Sequence, residues 1–276
     1  MRAAAAALVL LFATGIAQAA APRFSMDFGV GGGYEDNLNH APNGANKKGG
    51  GIADSWLQLG GIKDVLGVAN VSLFGAFNGE LNSTYSDLSA TGLNLRGGLN
   101  YPIDDKTELH VTAPVGMYYY GDTDRDATRW GAAVSLRQQL KPRLAATMEY
   151  AYTQNDADQE VFSFNENKFT GTLEAKTAGG SRATLSYAAT FGQSVFYQDA
   201  ALPDLPGTRA KALSSTFAAN QEALKVNSTA HTAGLAWDQE LGGGVHARAA
   251  YAFSYVVSEA GSYRDHALSG QIGYRF

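Results

Sequence analysis

The 276 residues include 32 Gly, 14 Tyr and 13 Phe, only 17% are charged, and there is no cysteine. The net charge of −5 argues against a nucleic-acid partner, and the missing cysteines exclude a disulfide framework or a lipid-modified N-terminus. No apolar run after the first residues reaches the roughly 20 residues of a spanning helix, so a helical membrane protein is excluded as well.

Met1-Arg2 is a minimal positive start, Ala3 to Ala13 an apolar stretch, and Ala17-Gln18-Ala19 a small-x-small cleavage site. This pattern predicts a secretory signal peptide over 1–19 and a mature chain over 20–276.

From Arg23 onward the chain alternates. Phe24, Met26, Phe28, Val30, Gly32 and Tyr34 share one face against Arg23, Ser25, Asp27, Gly29, Gly31 and Gly33. Such a period of two describes a strand with one apolar and one polar face. After a polar loop from Glu35 to Gly51, strand two sets Leu57, Leu59 and Gly61 against Trp56, Gln58 and Gly60. Strand three carries Ala69, Val71, Leu73, Gly75 and Phe77 outward and Asn70, Ser72, Asn78 and Glu80 inward, with Phe74 interrupting its polar face. Strands four and five place Arg96, Glu108 and His110 inward around an Asp104-Asp105-Lys106 turn. Strands six and seven place Arg129, Arg137 and Glu149 there, around Lys141-Pro142-Arg143.

Strand eight directs Lys168, Glu174 and Lys176 inward, and strand nine directs Arg182 inward. The longest connection follows, Tyr197 to Val226. Within it Ala210 to Lys225 is rich in Ala and spaces Leu213, Phe217 and Leu224 as a short helix would, which leaves two readings, an unstructured surface loop and a short helix over or in the mouth that narrows the pore. Strand ten carries Ala233, Leu235 and Trp237 outward, strand eleven runs from Val245 to Tyr255, and Ser258 to Arg264 leads to the closing strand, Ala267 to Phe276.

The count is about twelve strands, within a range of roughly 10 to 14, and an even number suits a single-chain barrel. Connections after even strands are tight, and those after odd strands are mostly longer and more polar. Aromatics such as Tyr34, Trp130, Tyr150 and Tyr255 gather at strand ends, as membrane-interface girdles do. Most segments alternate for about nine residues or more, the length that crosses a bilayer at a tilt, whereas sandwich strands run about five or six. The fold class is therefore all-β, an antiparallel up-and-down transmembrane β-barrel.

The last strand ends Gln271-Ile272-Gly273-Tyr274-Arg275-Phe276. Its alternation and terminal aromatic resemble the C-terminal signal strand of Gram-negative outer-membrane β-barrels. That resemblance implies an outer-membrane location, Tyr274 and Phe276 as the assembly signal, and lipid, periplasmic chaperones and the barrel-assembly machinery as partners. Gly31-Gly32-Gly33-Tyr34-Glu35-Asp36-Asn37-Leu38-Asn39 is similar to the opening of porin-type proteins and of barrels attached to polysaccharide or surface-lipoprotein export systems. The helical-repeat domain that often precedes export barrels has no counterpart between Ala20 and Arg23. A free-standing monomeric barrel is expected.

Function must then reside in the lumen or the loops. The lumen is expected to present Asp27, Glu80, Arg96, Glu108, Arg129, Arg137, Glu149, Lys168, Glu174, Arg182, Arg248 and Arg275, with Lys176 and Asp238 beside them. Neither sign dominates. Outer-membrane phospholipases place a His and a Ser on one barrel strand, but His110 has only Thr112 near it, so an enzyme is not expected. Asp122-x-Asp124-x-Asp126 begins like a calcium loop, yet Ala127 and Ala133 stand where the turn Gly and the bidentate Glu belong. No metal or other cofactor is expected. The reading is a passive channel for small hydrophilic solutes. The alternative is a closed structural or export-associated barrel without transport of its own.

Overall fold

The computed structural model describes residues 23–41, 47–65, 68–177 and 179–276. The expected signal peptide lies outside them. Among the described residues the strands are β1 (Arg23–Glu35), β2 (Gly50–Val65), β3 (Ala69–Asn82), β4 (Ala90–Pro102), β5 (Thr107–Tyr120), β6 (Ala127–Lys141), β7 (Leu144–Ala157), β8 (Phe164–Lys176), β9 (Arg182–Asp199), β10 (Thr208–Ser214), β11 (Gln221–Gly242), β12 (Val245–Ser258) and β13 (Gly261–Arg275). Every pairing is antiparallel. β13 pairs β1 from Asp27↔Arg275 to Glu35↔Ala267, and β9 pairs β11 from Arg182↔Asp238 to Asp199↔Gln221. These two seams close a 12-strand barrel, and β10 stands outside that count.

The register fixes which way each side chain points. Phe28↔Leu57, Leu57↔Phe77, Phe77↔Leu93 and Leu93↔Met117 run around one side, and Tyr187↔Ala233, Leu185↔Leu235 and Leu235↔Tyr251 around the other. All of these lie on the outer face. Leu185 is 56% exposed, Leu235 58% and Leu268 60%. A contiguous apolar belt of this kind would cost about 1.5–3 kcal/mol per large side chain if left in water. Lipid is the solvent that removes that cost, and closed strands satisfy the backbone within it.

Both chain ends of the described barrel meet at the end with the tight turns. The Phe276 backbone N–H donates to the Met26 carbonyl at 2.9 Å, and the Phe276 ring packs on Tyr274 at 4.5 Å and Phe28 at 6.2 Å. Turns at 103–106, 142–143 and 243–244 share this end, which is the periplasmic one. The opposite, external end carries the connections 36–49, 83–89, 121–126, 158–163 and 200–220.

Over 210–225 the structure has neither the short helix nor a wholly unstructured loop. Thr208–Ser214 is strand β10, and β11 already starts at Gln221, twelve residues before the first strand-ten position read from the sequence. Helical spacing and strand alternation are indistinguishable over so short a stretch. The free edge of β11 decides the outcome. β12 leaves β11 at Ser228↔Ser258, so Gln221–Val226 has an unpaired edge, which β10 covers from Ser214↔Gln221 to Thr208↔Val226. Likewise β2 begins at Gly50, within the expected loop, and β13 begins at Gly261, leaving only Glu259 and Ala260 between it and β12.

A charge on the lipid face should therefore be costly and the same charge inside tolerated. Leu235→Arg should destabilise the barrel by about 2–4 kcal/mol, and Thr184→Arg, on the inner face opposite Glu174, by much less. Denaturant unfolding in lipid vesicles measures both.

Candidate functional site

The same register turns every sequence-predicted interior residue to the inner face. Asp27 lies opposite Gln58, Glu80 opposite Asp54, Arg96 opposite Phe74, Glu108 opposite Arg137, Arg129 opposite Gly116 and Glu149 opposite Thr170. Lys168, Glu174, Arg182, Arg248 and Arg275 follow on the remaining strands, opposite Ala151, Ala145, Asp238, Asp238 and Asp27.

Toward the periplasmic end opposite charges join directly. Glu174 takes Arg137 at 3.2 Å and Arg182 at 3.4 Å, and Asp238 takes Arg182 at 3.5 Å and Arg248 at 2.9 Å. This chain of charges crosses β6, β8, β9, β11 and β12. On the facing strands Asp27 pairs with Arg275 at 2.8 Å and accepts from the Trp56 indole N–H at 2.8 Å. Partly solvated pairs of this sort contribute at most about 1 kcal/mol each. Their larger effect is to hold the side chains against the wall.

Other predicted residues are not brought together. Glu149 and Lys168 make no ion pair among the described residues, and Arg96 lies over the Phe74 ring at 5.8 Å. The two His110 ring nitrogens meet Asn100 Oδ1 at 2.6 Å and Glu108 Oε2 at 3.3 Å, so both are engaged away from Ser135, its cross-strand neighbour on β6, which the sequence reading did not pair with it. Asp122 accepts from the Asp124 N–H at 3.1 Å and pairs with Arg125 at 3.3 Å, while Asp126 accepts from the Tyr120 N–H at 2.7 Å. These aspartates shape a turn, and among the described residues no group of acidic or histidine side chains is arranged for a metal.

Above the paired charges the lumen opens into a cavity of about 520 Å³. Its wall includes Asp54, Trp56, Gln58, Asn78, Glu80, Tyr118, Tyr120, Arg129 and Gln271. The Arg129 guanidinium stands 4.4 Å from the Tyr118 ring and 5.5 Å from the Phe164 ring, and its Nε donates to Asn155 at 3.0 Å. Small residues, Ala76, Gly79, Ala90 and Gly92, leave the space between. Asp54 was missed in the sequence because Gly50 and Gly51 read as loop. Extending the alternation back from Trp56 would have found it.

The external mouth is crossed by the ends of β9 and β11 together with β10. Phe196, Leu224 and Val226 are fully buried. On one side Phe196 meets Tyr263 at 5.5 Å, and His40 stacks on Tyr263 at 4.8 Å while donating from Nδ1 to the Val195 carbonyl at 2.8 Å. On the other side Phe217 packs between Tyr85 at 4.8 Å and Tyr197 at 4.7 Å. Arg125 bonds the Tyr197 hydroxyl, reaches Thr216 at 3.4 Å and lies 4.1 Å over Phe162. One hairpin thus touches loops from around the circumference, which requires it to lie across the opening. None of this packing was legible in the sequence, because it joins residues far apart along the chain.

No protein-family model matches the chain, and no curated protein matches it in sequence. Among solved structures it is similar to the COG4313 outer membrane channel from Pseudomonas putida F1, with a TM-score of 0.60, 9% identity, and 95% of this chain and 99% of that one covered. It is also similar to the translocator domain of the autotransporter NalP from Neisseria meningitidis, at a TM-score of 0.45 and 12% identity over 100% of this chain and 95% of that one. A third likeness is to an anion-selective porin from Comamonas acidovorans, at 0.42 and 10% over 93% and 99%. Only the first is near enough to speak to a shared fold, and it speaks to fold alone. The lipid-facing belt, the closed seams and this likeness define the fold of an outer-membrane β-barrel.

His40 provides a test of the mouth. Burial, with a smaller contribution from the Arg125 charge, holds its pKa below the ordinary 6.5. The sign follows: neutral His40 supports loop docking above pH 6.5, and that support is lost as pH falls below it toward the folded value. Amide hydrogen exchange over 36–41 should therefore speed up between pH 7.5 and pH 5, after correction for the intrinsic pH dependence of exchange. His40 has a φ of 51°, which Asn tolerates, so His40→Asn should diminish the acid-induced change. Retention of the full response in that variant would contradict the assignment.

Proposed function

We propose that the protein is a monomeric passive channel for small hydrophilic solutes. The solute path is lined by Asp27, Glu80, Arg96, Glu108, Arg129, Arg137, Glu149, Lys168, Glu174, Arg182, Arg248 and Arg275. The observation that carries this reading is the polar inner face enclosing a cavity of about 520 Å³ inside the barrel. A barrel built only as a wall could fill that space with side chains. Here Gly and Ala stand at four of the lining positions instead. In this reading the signal peptide 1–19 directs the chain to the periplasm, chaperones deliver it, and Tyr274 and Phe276 present the closing strand to the assembly machinery.

The hairpin across the mouth limits conduction. In planar bilayers the purified protein should show a small, steady ohmic conductance. Replacing 200–220 by Asn-Gly, a two-residue turn that joins Asp199 to Gln221, removes β10 and Phe217 from the mouth and should raise it, since a thinner constriction lowers the series resistance. Electrical silence of both proteins at every voltage would overturn the channel reading in favour of a closed barrel.

A further inference from the structure

Opposite charges pair directly at the periplasmic end of the lumen, yet in the cavity above they are held apart. Asp54 and Glu80 are cross-strand neighbours on β2 and β3. Glu80 makes no hydrogen bond or ion pair among the described residues, and Asp54 accepts one bond, from the Gln271 amide at 3.1 Å on Oδ2, leaving Oδ1 without a partner. Arg129 belongs to β6, three strands from Glu80. Its Nε is taken by Asn155 and its faces by Tyr118 and Phe164, so the guanidinium is fixed in place. Both Nη groups are left without a protein partner among the described residues.

We propose that this cavity binds a small zwitterion, with its ammonium on Asp54 and Glu80 and its carboxylate on the Arg129 fork. A fixed guanidinium with two free N–H edges is the preferred partner of a carboxylate. An isolated anion would meet that fork but also two carboxylates. An isolated cation would satisfy the carboxylates but leave the fork unmatched. A solute bearing both signs satisfies the two walls together. Trp56, Tyr118 and Tyr120 supply flat apolar surface for the carbon skeleton between the charges. The volume lies within the range of small-molecule sites and admits an amino acid or dipeptide with accompanying water.

The proposal rests on the channel reading, but binding is measured without conduction, so the two can fail separately. The chain has 3 Trp, and Trp130→Phe with Trp237→Phe leaves Trp56 as the sole indole emitter. Three four-carbon probes, 4-aminobutyrate, butyrate and butylammonium, are titrated into the full barrel in nanodiscs at one ionic strength. The expected result is a saturable Trp56 response to 4-aminobutyrate at a Kd about tenfold below either single-charge probe, the size of one charge-assisted contact. Arg129→Gln should bring the affinity for 4-aminobutyrate to that for butylammonium. Glu80→Gln should weaken 4-aminobutyrate severalfold while leaving butyrate bound at least as well. If Arg129→Gln fails to assemble, Glu80→Gln still decides, because Glu80 holds no other side chain. Equal affinities for the three probes, preference for a single-charge probe, or no response to any would overturn the proposal.

Discussion

The structure depends on one constraint: in lipid no backbone hydrogen-bonding group can be left open. Two seams meet it, β1 with β13 and β9 with β11. Once they are closed, the alternation of each strand becomes an inside and an outside. Neither seam joins strands adjacent in sequence. The β1–β13 seam brings together residues more than 230 positions apart, such as Asp27 and Arg275, so closure joins the two ends of the described chain. The same rule applies in reverse above the membrane. There β11 outruns β12, its edge lies free, and β10 folds back to cover it.

Closure also decides what the interior charges can do. Where register places a carboxylate beside guanidinium groups, as with Glu174 between Arg137 and Arg182, the charges neutralise one another and hug the wall. Where aromatic rings and an amide fix the guanidinium, as at Arg129, it cannot reach the acids across the cavity. The lumen is thus a paired, compact section toward the periplasm and a charge-separated section beneath the mouth. Field strength follows from this arrangement more than from net charge, since low-dielectric walls focus the field between fixed groups.

Much of this was legible in the sequence, for a physical reason. The bilayer imposes a period of two over long stretches, so Leu235, Trp237 and Tyr251 declare the outer face and Arg182 and Arg248 the inner one without knowledge of neighbours. The site was partly legible: Glu80 and Arg129 follow from parity, while Asp54 sits where two glycines disguise the start of β2. What escaped was everything set by contact among loops. Phe217, Tyr85 and Tyr197 form one cluster from two separate connections and the end of β9. The stretch 210–225 read as a loop or a short helix because only the free edge of β11 makes a strand the better partner. No local spacing encodes that edge.

The inside–outside assignment underlies the whole account, and β11 tests it directly. The natural chain has no cysteine, so single cysteines at successive positions from Thr229 to Gln239 can each be spin-labelled in a reconstituted bilayer without background. Odd positions should show high collision rates with oxygen, which concentrates in lipid, and even positions high collision rates with a water-soluble nickel chelate. The pattern should alternate without a break. Equal nickel accessibility at Leu235 and Ala236, or a period near 3.6, would contradict the barrel and the lumen built upon it.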